Sequence, residues 1–123
     1  MKSKSEEIIC RILDHYNIKY EVQKVFDDCR DRNVLPFDIY LPSLNSAIEY
    51  DGIFHYEVLD GLNNDLEAQQ RRDSIKTNYC INHNIELLRI PYWEQYNIES
   101  ILTKWLFSNQ DEAEHASGID LSA

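Results

Sequence analysis

Residues 36–56 read PFDIYLPSLNSAIEYDGIFHY, and this stretch does most to limit what the chain can fold into. Two runs rich in β-branched and aromatic residues, 36–41 and 46–51, flank a short turn holding Pro42 and Asn45, which predicts a strand hairpin. Three carboxylates, Asp38, Glu49 and Asp51, interrupt those runs. An ionised carboxylate is costly to bury alone, and several together cost more. Side chains alternate along a strand, so Glu49 and Asp51 share a face. If the connection holds an even number of residues, position 38 falls opposite an odd-numbered position near 49 or 51. All three acids then project together, while Phe37, Ile39, Leu41, Ile48 and Tyr50 build the other face.

The rest of the chain supplies what such a hairpin needs to be covered. Ile8, Ile9, Ile12, Leu13 and Tyr16 recur at helical spacing and predict a helix over Ser3–Tyr16. Ser3 and Glu6 form a capping-box pattern, and Glu6 also borders the apolar stripe, three residues before Ile9 and seven before Leu13. Residues 18–26 begin with alternation and predict a half-exposed strand, followed by the polar loop 27–33. Gly52 ends the third strand, and Gly61, Asn63 and Asn64 mark 57–64 as a loop. Asp65–Asn82 reads as a polar helix and Ile85–Ile90 as a buried parallel strand stopped by Pro91. Asn97 then caps a last helix with the stripe Ile98, Ile101, Leu102, Trp105 and Leu106. The order αβββαβα predicts an α/β fold with a central mixed sheet flanked by helices; an antiparallel meander supplies its first three strands and a strand–helix–strand crossover its fourth.

Composition narrows the class. A length of 123 residues fits one domain with a real core, and 43% hydrophobic residues with a mean hydropathy of −0.52 point to a globular protein. No apolar run approaches the ~20 residues of a membrane helix, and Arg11 and Asp14 break the N-terminal apolar stretch, so a cytoplasmic protein with no membrane contact is expected. Cys10, Cys29 and Cys80 are scattered and form no CxxC, which argues against disulfides and zinc, and Cys10 and Cys80, on apolar helix faces, read as small core residues. The net charge of −10 has the wrong sign for nonspecific attraction to a polyanion. Four of those charges, Asp111, Glu112, Glu114 and Asp120, lie in 108–123 without a Lys or Arg, so the expected organisation is a domain over 1–107 and an acidic, disordered tail over 108–123.

The third strand, which carries Glu49 and Asp51, ends at the C-terminal edge of the sheet, where ligand crevices of open α/β sheets form. His55 follows within reach, and Gln69, Asp73 and Lys76 share one face of the next helix. Carboxylate oxygens suit Mg²⁺ or Mn²⁺, and a divalent cation with a nearby His and Lys suits phosphodiester hydrolysis. Each residue also has a plainer reading. Asp38 and Asp51 could be strand-end acids held by backbone amides, His55 a polar loop residue, and Asp73 with Lys76 a surface ion pair. Arg71 and Arg72 either meet phosphate or solvate the helix. Tyr92 and Trp93 either stack on a base or pack the last helix.

FDIYLP, then IEYDG with His55, then QxxxDxxK over 69–76, then IELLRIPY resemble, in this order, the PD-(D/E)xK nuclease superfamily. The likeness is nearest to its branch around the very-short-patch repair endonuclease and the EDxHD homing endonucleases, and it covers roughly 3–106. SKSE at 3–6 matches the start of small phage and bacterial proteins of this kind. The resemblance implies a restriction-endonuclease-like fold and an endodeoxyribonuclease. Glu6 then matches the helix glutamate, Asp38 the metal-binding aspartate, Glu49–Tyr50–Asp51 the (D/E)xK strand, His55 the EDxHD histidine and Asp73 its last aspartate. It implies Asp38, Glu49 and Asp51 as metal ligands, with Gln69, Arg71 and Arg72 toward DNA. Asp51 stands where the motif places a lysine, and Lys76 is the substitute source of charge. Duplex, nicked or branched DNA, RNA, and a protein partner or homodimer all remain open as partners. The alternative is a noncatalytic binding module that keeps a nuclease fold. No helix-turn-helix or zinc finger is visible to read sequence.

Overall fold

The computed structural model describes residues 3–53, 56 and 65–117. The chain folds as α/β in the order αβββαβα: α1 (Lys4–His15), β1 (Glu21–Lys24), β2 (Phe37–Leu41), β3 (Ser46–Asp51), α2 (Leu66–Asn82), β4 (Glu86–Pro91) and α3 (Ile98–Ser117). The four strands form one mixed sheet in the order β1-β2-β3-β4, antiparallel except for the parallel β3–β4 pair. No helix among the described residues is long and apolar enough to cross a membrane.

The sheet is covered on both sides. Ile9, Cys10 and Leu13 of α1 pack with Ile98, Leu102 and Leu106 of α3 against Ile39, Leu41, Ile48 and Ile90. Cys80 of α2 packs with Phe37, Ala47, Ile85, Leu35 and Cys29 on the opposite side. All three cysteines are buried and free. Burying a Leu- or Phe-sized side chain contributes about 1.5–3 kcal/mol, so these two clusters supply the main drive to fold.

Local sequence sets the boundaries. Ser3 caps α1: its Oγ accepts from Glu6 N–H at 3.1 Å, and its hydroxyl donates to the Glu6 carboxylate at 3.4 Å. Asp65 caps α2 through Ala68 N–H at 3.0 Å. Pro42–Leu44 make a 3-10 turn closed by Asn45 at φ 44°, which a short polar side chain tolerates. The 42–45 connection therefore holds four residues, and Leu41 pairs with Ser46.

Several elements depart from the sequence reading. β1 spans only Glu21–Lys24, because Asn17 turns at φ 56° and Tyr20 bonds back to Asp14 of α1 at 3.3 Å. Asn97 ends a 3-10 turn over Tyr92–Asn97, with its amide donating to Glu94 at 2.8 Å, so α3 continues that turn instead of starting from an Asn cap. α3 itself runs into the acidic stretch 108–123. Tyr16 leaves the buried stripe of α1 and packs edge-on against Phe107 with centroids 4.8 Å apart.

Candidate functional site

The site begins where the β2–β3 ladder opens. Pairing runs regularly through Leu41↔Ser46, Tyr40↔Ala47 and Ile39↔Ile48. The next position brings Asp38 beside Glu49, and there side chains take over from the backbone. Asp38 N–H donates to Glu49 Oε2 at 2.8 Å, and Tyr50 N–H donates to Asp38 Oδ2 at 2.9 Å. Each carboxylate thus satisfies one amide of the facing strand, which keeps the buried backbone paired across the gap. The other neighbour bends at the same level: Gln23, between the Val22↔Ile39 and Lys24↔Phe37 pairs, adopts φ 52°. Phe37 consequently packs on the α2 side instead of sharing the face of Ile39 and Leu41, as alternation alone requires.

Two acid clusters meet along β3. In the first, Glu49 is 2% exposed and forms an ion pair with Lys76 of α2, itself 9% exposed. The Lys76 ammonium also lies 5.0 Å from the Phe37 ring centroid. Burial and the neighbouring Glu49 charge push the Asp38 carboxyl up to about 7, with Glu6 adding to the rise and the Tyr50 amide and Lys76 opposing it. The second cluster surrounds Asp51, which is 3% exposed. Arg89 Nε lies 3.8 Å from Asp51 Oδ2, and the Tyr56 hydroxyl donates to the same oxygen at 3.3 Å. Arg89 is anchored to α2 by bonds to Thr77 Oγ1 at 2.5 Å and to the Asp73 carbonyl at 2.8 Å. Burial, then Asp51, push the Tyr56 phenol up to about 12, with a smaller contribution from Asp73.

The sequence-predicted residues are therefore brought together unevenly. Glu49 and Lys76 are in contact, Asp38 joins them across the gap, and Glu6 is close enough to raise the Asp38 pKa. Lys76 points into the sheet at Glu49 and so is not a surface residue of α2. Gln69 donates to Asp73 at 3.1 Å and accepts from Arg72 at 3.4 Å, linking those three along α2. Arg71 turns to the loop acid Asp31 at 3.3 Å. His55 lies outside the described residues. Tyr92 and Trp93 form an aromatic cluster with Tyr56, the Tyr56–Trp93 centroids being 4.8 Å apart, and Trp93 is 58% exposed.

Arg89 and Tyr56 escaped the sequence reading. The available signal for Arg89 was a single cation inside the apolar run IELLRI, which parallel pairing sets beside Glu49. Tyr56 directly follows His55 in the sequence and carried no distinguishing pattern.

The donor chemistry fits a hard divalent cation: all ligand atoms are carboxylate oxygens, and burial beside Glu49 raises Asp38. As placed, the acids are divided between Lys76 and Arg89, and among the described residues no group of three or more His, Cys, Asp or Glu side chains converges on one point.

Comparison with known proteins gives distant relatives. The chain is 36% identical over 61 residues to uncharacterized protein 307L of Invertebrate iridescent virus 6, covering 47% of this chain and 31% of that protein. It is 40% identical over 76 residues to uncharacterized protein 094L of Frog virus 3 (isolate Goorha), covering 58% and 48%. It is 33% identical over 63 residues to uncharacterized protein 033L of Invertebrate iridescent virus 3, covering 49% and 32%. The matches thus span less than half the length of each of these relatives. No family model and no solved structure matches the chain.

Proposed function

We propose that the chain is a divalent-metal-dependent endonuclease of the PD-(D/E)xK type, hydrolysing DNA phosphodiester bonds. One observation carries the reading. Asp38 and Glu49 face each other at the opening of a β ladder, with a buried lysine supplied by the following helix. The two carboxylates do pair two amides, but burying them side by side costs more than ordinary backbone pairing would, which suits groups with a chemical role besides the structural one.

Asp38, Glu49 and Asp51 would hold Mg²⁺ or Mn²⁺, which when bound supplies Lewis acidity toward the phosphate. The chain's own residues do the rest. The Asp38 and Glu49 amide bonds fix the two carboxylates relative to the backbone, so little reorganisation is left for the reaction. Lys76 brings positive charge to the place where the motif lysine is missing, and its charge opposes that developing on the phosphoryl oxygens. Arg89 and Tyr56 hold Asp51 in one orientation. Glu6 and Asp73 border the two clusters, and each would orient water or a base from its own side. His55 is the candidate proton carrier from its position in the sequence.

The test is a cleavage panel of linear, nicked, mismatched, branched and single-stranded substrates with Mg²⁺ and Mn²⁺, RNA included. Cleavage that disappears in Asp38→Asn, with the circular dichroism spectrum unchanged, supports the reading. Equal cutting by wild type and Asp38→Asn sinks it. The pairing of Glu49 with Lys76 within the protein favours a second reading, a noncatalytic module whose acids are satisfied internally. Absence of any calorimetric heat with Mg²⁺ or Mn²⁺ would select that module.

A further inference from the structure

We propose that Lys76 is an exchangeable counter-cation: it holds Glu49 in the metal-free protein and gives up that carboxylate when a divalent ion enters. The inference rests on the metal-dependent reading above and concerns how that site is regulated. Its basis is the contrast between the two cations set against β3. Arg89 is tied at both Nη atoms, to Thr77 Oγ1 and to the Asp73 carbonyl, besides lying 3.8 Å from Asp51. A planar guanidinium fixed by that many contacts stays where it is. Lys76 pairs with Glu49, lies within electrostatic range of Asp38 and sits 5.0 Å from the Phe37 ring centroid. Its compact charge rides on a flexible four-carbon stem, so exchanging one carboxylate for another anion requires no backbone movement.

The surrounding charge favours exchange. Glu49 bonds Asp38 N–H, and Glu6 lies within electrostatic range of Asp38, so a single ammonium serves a cluster with more negative charge than it can neutralise. A divalent ion interacts with the same oxygens with twice the charge. Among the described residues the acids do not converge as three, and release of Lys76 would free Glu49 Oε1 for an ion beside Asp38. The displaced ammonium stays within one side-chain length of the acids, so the same residue is delivered to a bound phosphate only once the ion is in place. Lys76 thereby couples metal loading to readiness for an anionic substrate.

The experiment measures Mn²⁺ affinity by calorimetry for wild type and Lys76→Met, which keeps the stem and removes the competing charge. The variant should bind Mn²⁺ about tenfold more tightly, the scale of one elementary charge removed from a partly buried site. A lysine with a purely structural role gives equal or weaker binding on removal. Because Lys76→Met could unfold, the second measurement uses the wild type alone. The ¹⁵Nζ–¹H signal of Lys76 should lose its protected character on adding Mg²⁺, while the Arg89 Nε–H signal persists. A Lys76 signal unchanged at saturating Mg²⁺ overturns the exchange and leaves the metal site intact. Failure of the wild type to bind Mn²⁺ at all overturns the metal reading itself and this inference with it.

Discussion

Asp38→Asn should make the metal-free protein more stable while removing its proposed activity. The Asp38 carboxyl titrates at about 7 instead of its ordinary 3.8, because it is partly buried beside Glu49. Between those two values the folded state holds the proton and the unfolded state has lost it. Stability contributed by this group is therefore present at low pH and lost as pH rises through that window. Relative to a neutral side chain the ionisable one costs about 2 kcal/mol at pH 5.5 and about 4 kcal/mol at pH 8, at ~1.4 kcal/mol for each tenfold difference in proton affinity between the folded and unfolded chains. Asparagine keeps an oxygen for the Tyr50 amide, and what that bond gains when Asp38 ionises is already contained in the value of about 7. The variant should thus exceed wild type by about 2 kcal/mol at pH 5.5 and about 4 kcal/mol at pH 8. Urea unfolding in EDTA, followed by the fluorescence of Trp93 and Trp105, measures both. A difference that does not change with pH, or a variant less stable than wild type at pH 8, refutes the electrostatic reasoning. With Mg²⁺ present the order should narrow or reverse, because only wild type gains stability from the ion.

Three further outcomes follow from the same geometry. Lys76→Met should destabilise the protein by about 3–5 kcal/mol by leaving Glu49 buried without its partner, and Lys76→Met/Glu49→Gln should recover about half, read by urea unfolding. Additive single-variant losses would contradict a direct pair. Arg89→Ala removes two charge-assisted bonds between β4 and α2 and should cost about 2–4 kcal/mol, with faster amide exchange around Asp73–Thr77. Unchanged exchange there would mean the helix is held by other contacts. Gly52→Ala meets no atom within 4 Å of the added methyl and should change stability by less than ~1 kcal/mol, so a large loss of melting temperature would contradict this account of the strand end.

The fold was legible because its elements obey simple periods. The stripe through Ile9 and Leu13, the alternation of 36–51 and the short run 85–90 each name their element, and the four-residue connection fixes the register that brings Asp38 to Glu49. The pairing of Glu49 with a cation was half legible: Lys76 was identified as the substitute source of charge, but not as the partner of Glu49. What could not be read was the opening of the ladder, since nothing in alternation announces that two side chains will replace two backbone acceptors. Phe37 changes sides for that reason. Arg89 was hidden because a run carrying Ile85, Leu87, Leu88 and Ile90 reads as wholly buried, and only parallel register reveals which position faces Glu49.

The side chains that bridge β2 and β3 have a consequence for reading this protein's history. Asp38 and Glu49 are at once structural acceptors for two amides and candidate chemical groups, so the sheet and the chemistry draw on the same atoms. A relative without the proposed activity could not simply discard them, because an alanine at either position would strand an amide inside the sheet. An acid or its amide retained at 38 and 49 in a relative therefore testifies to architecture before it testifies to catalysis. Lys76 is the more telling position: in a relative without the proposed ion, an apolar residue there with a glutamine at 49 would be tolerated at only part of the cost of losing Lys76 alone.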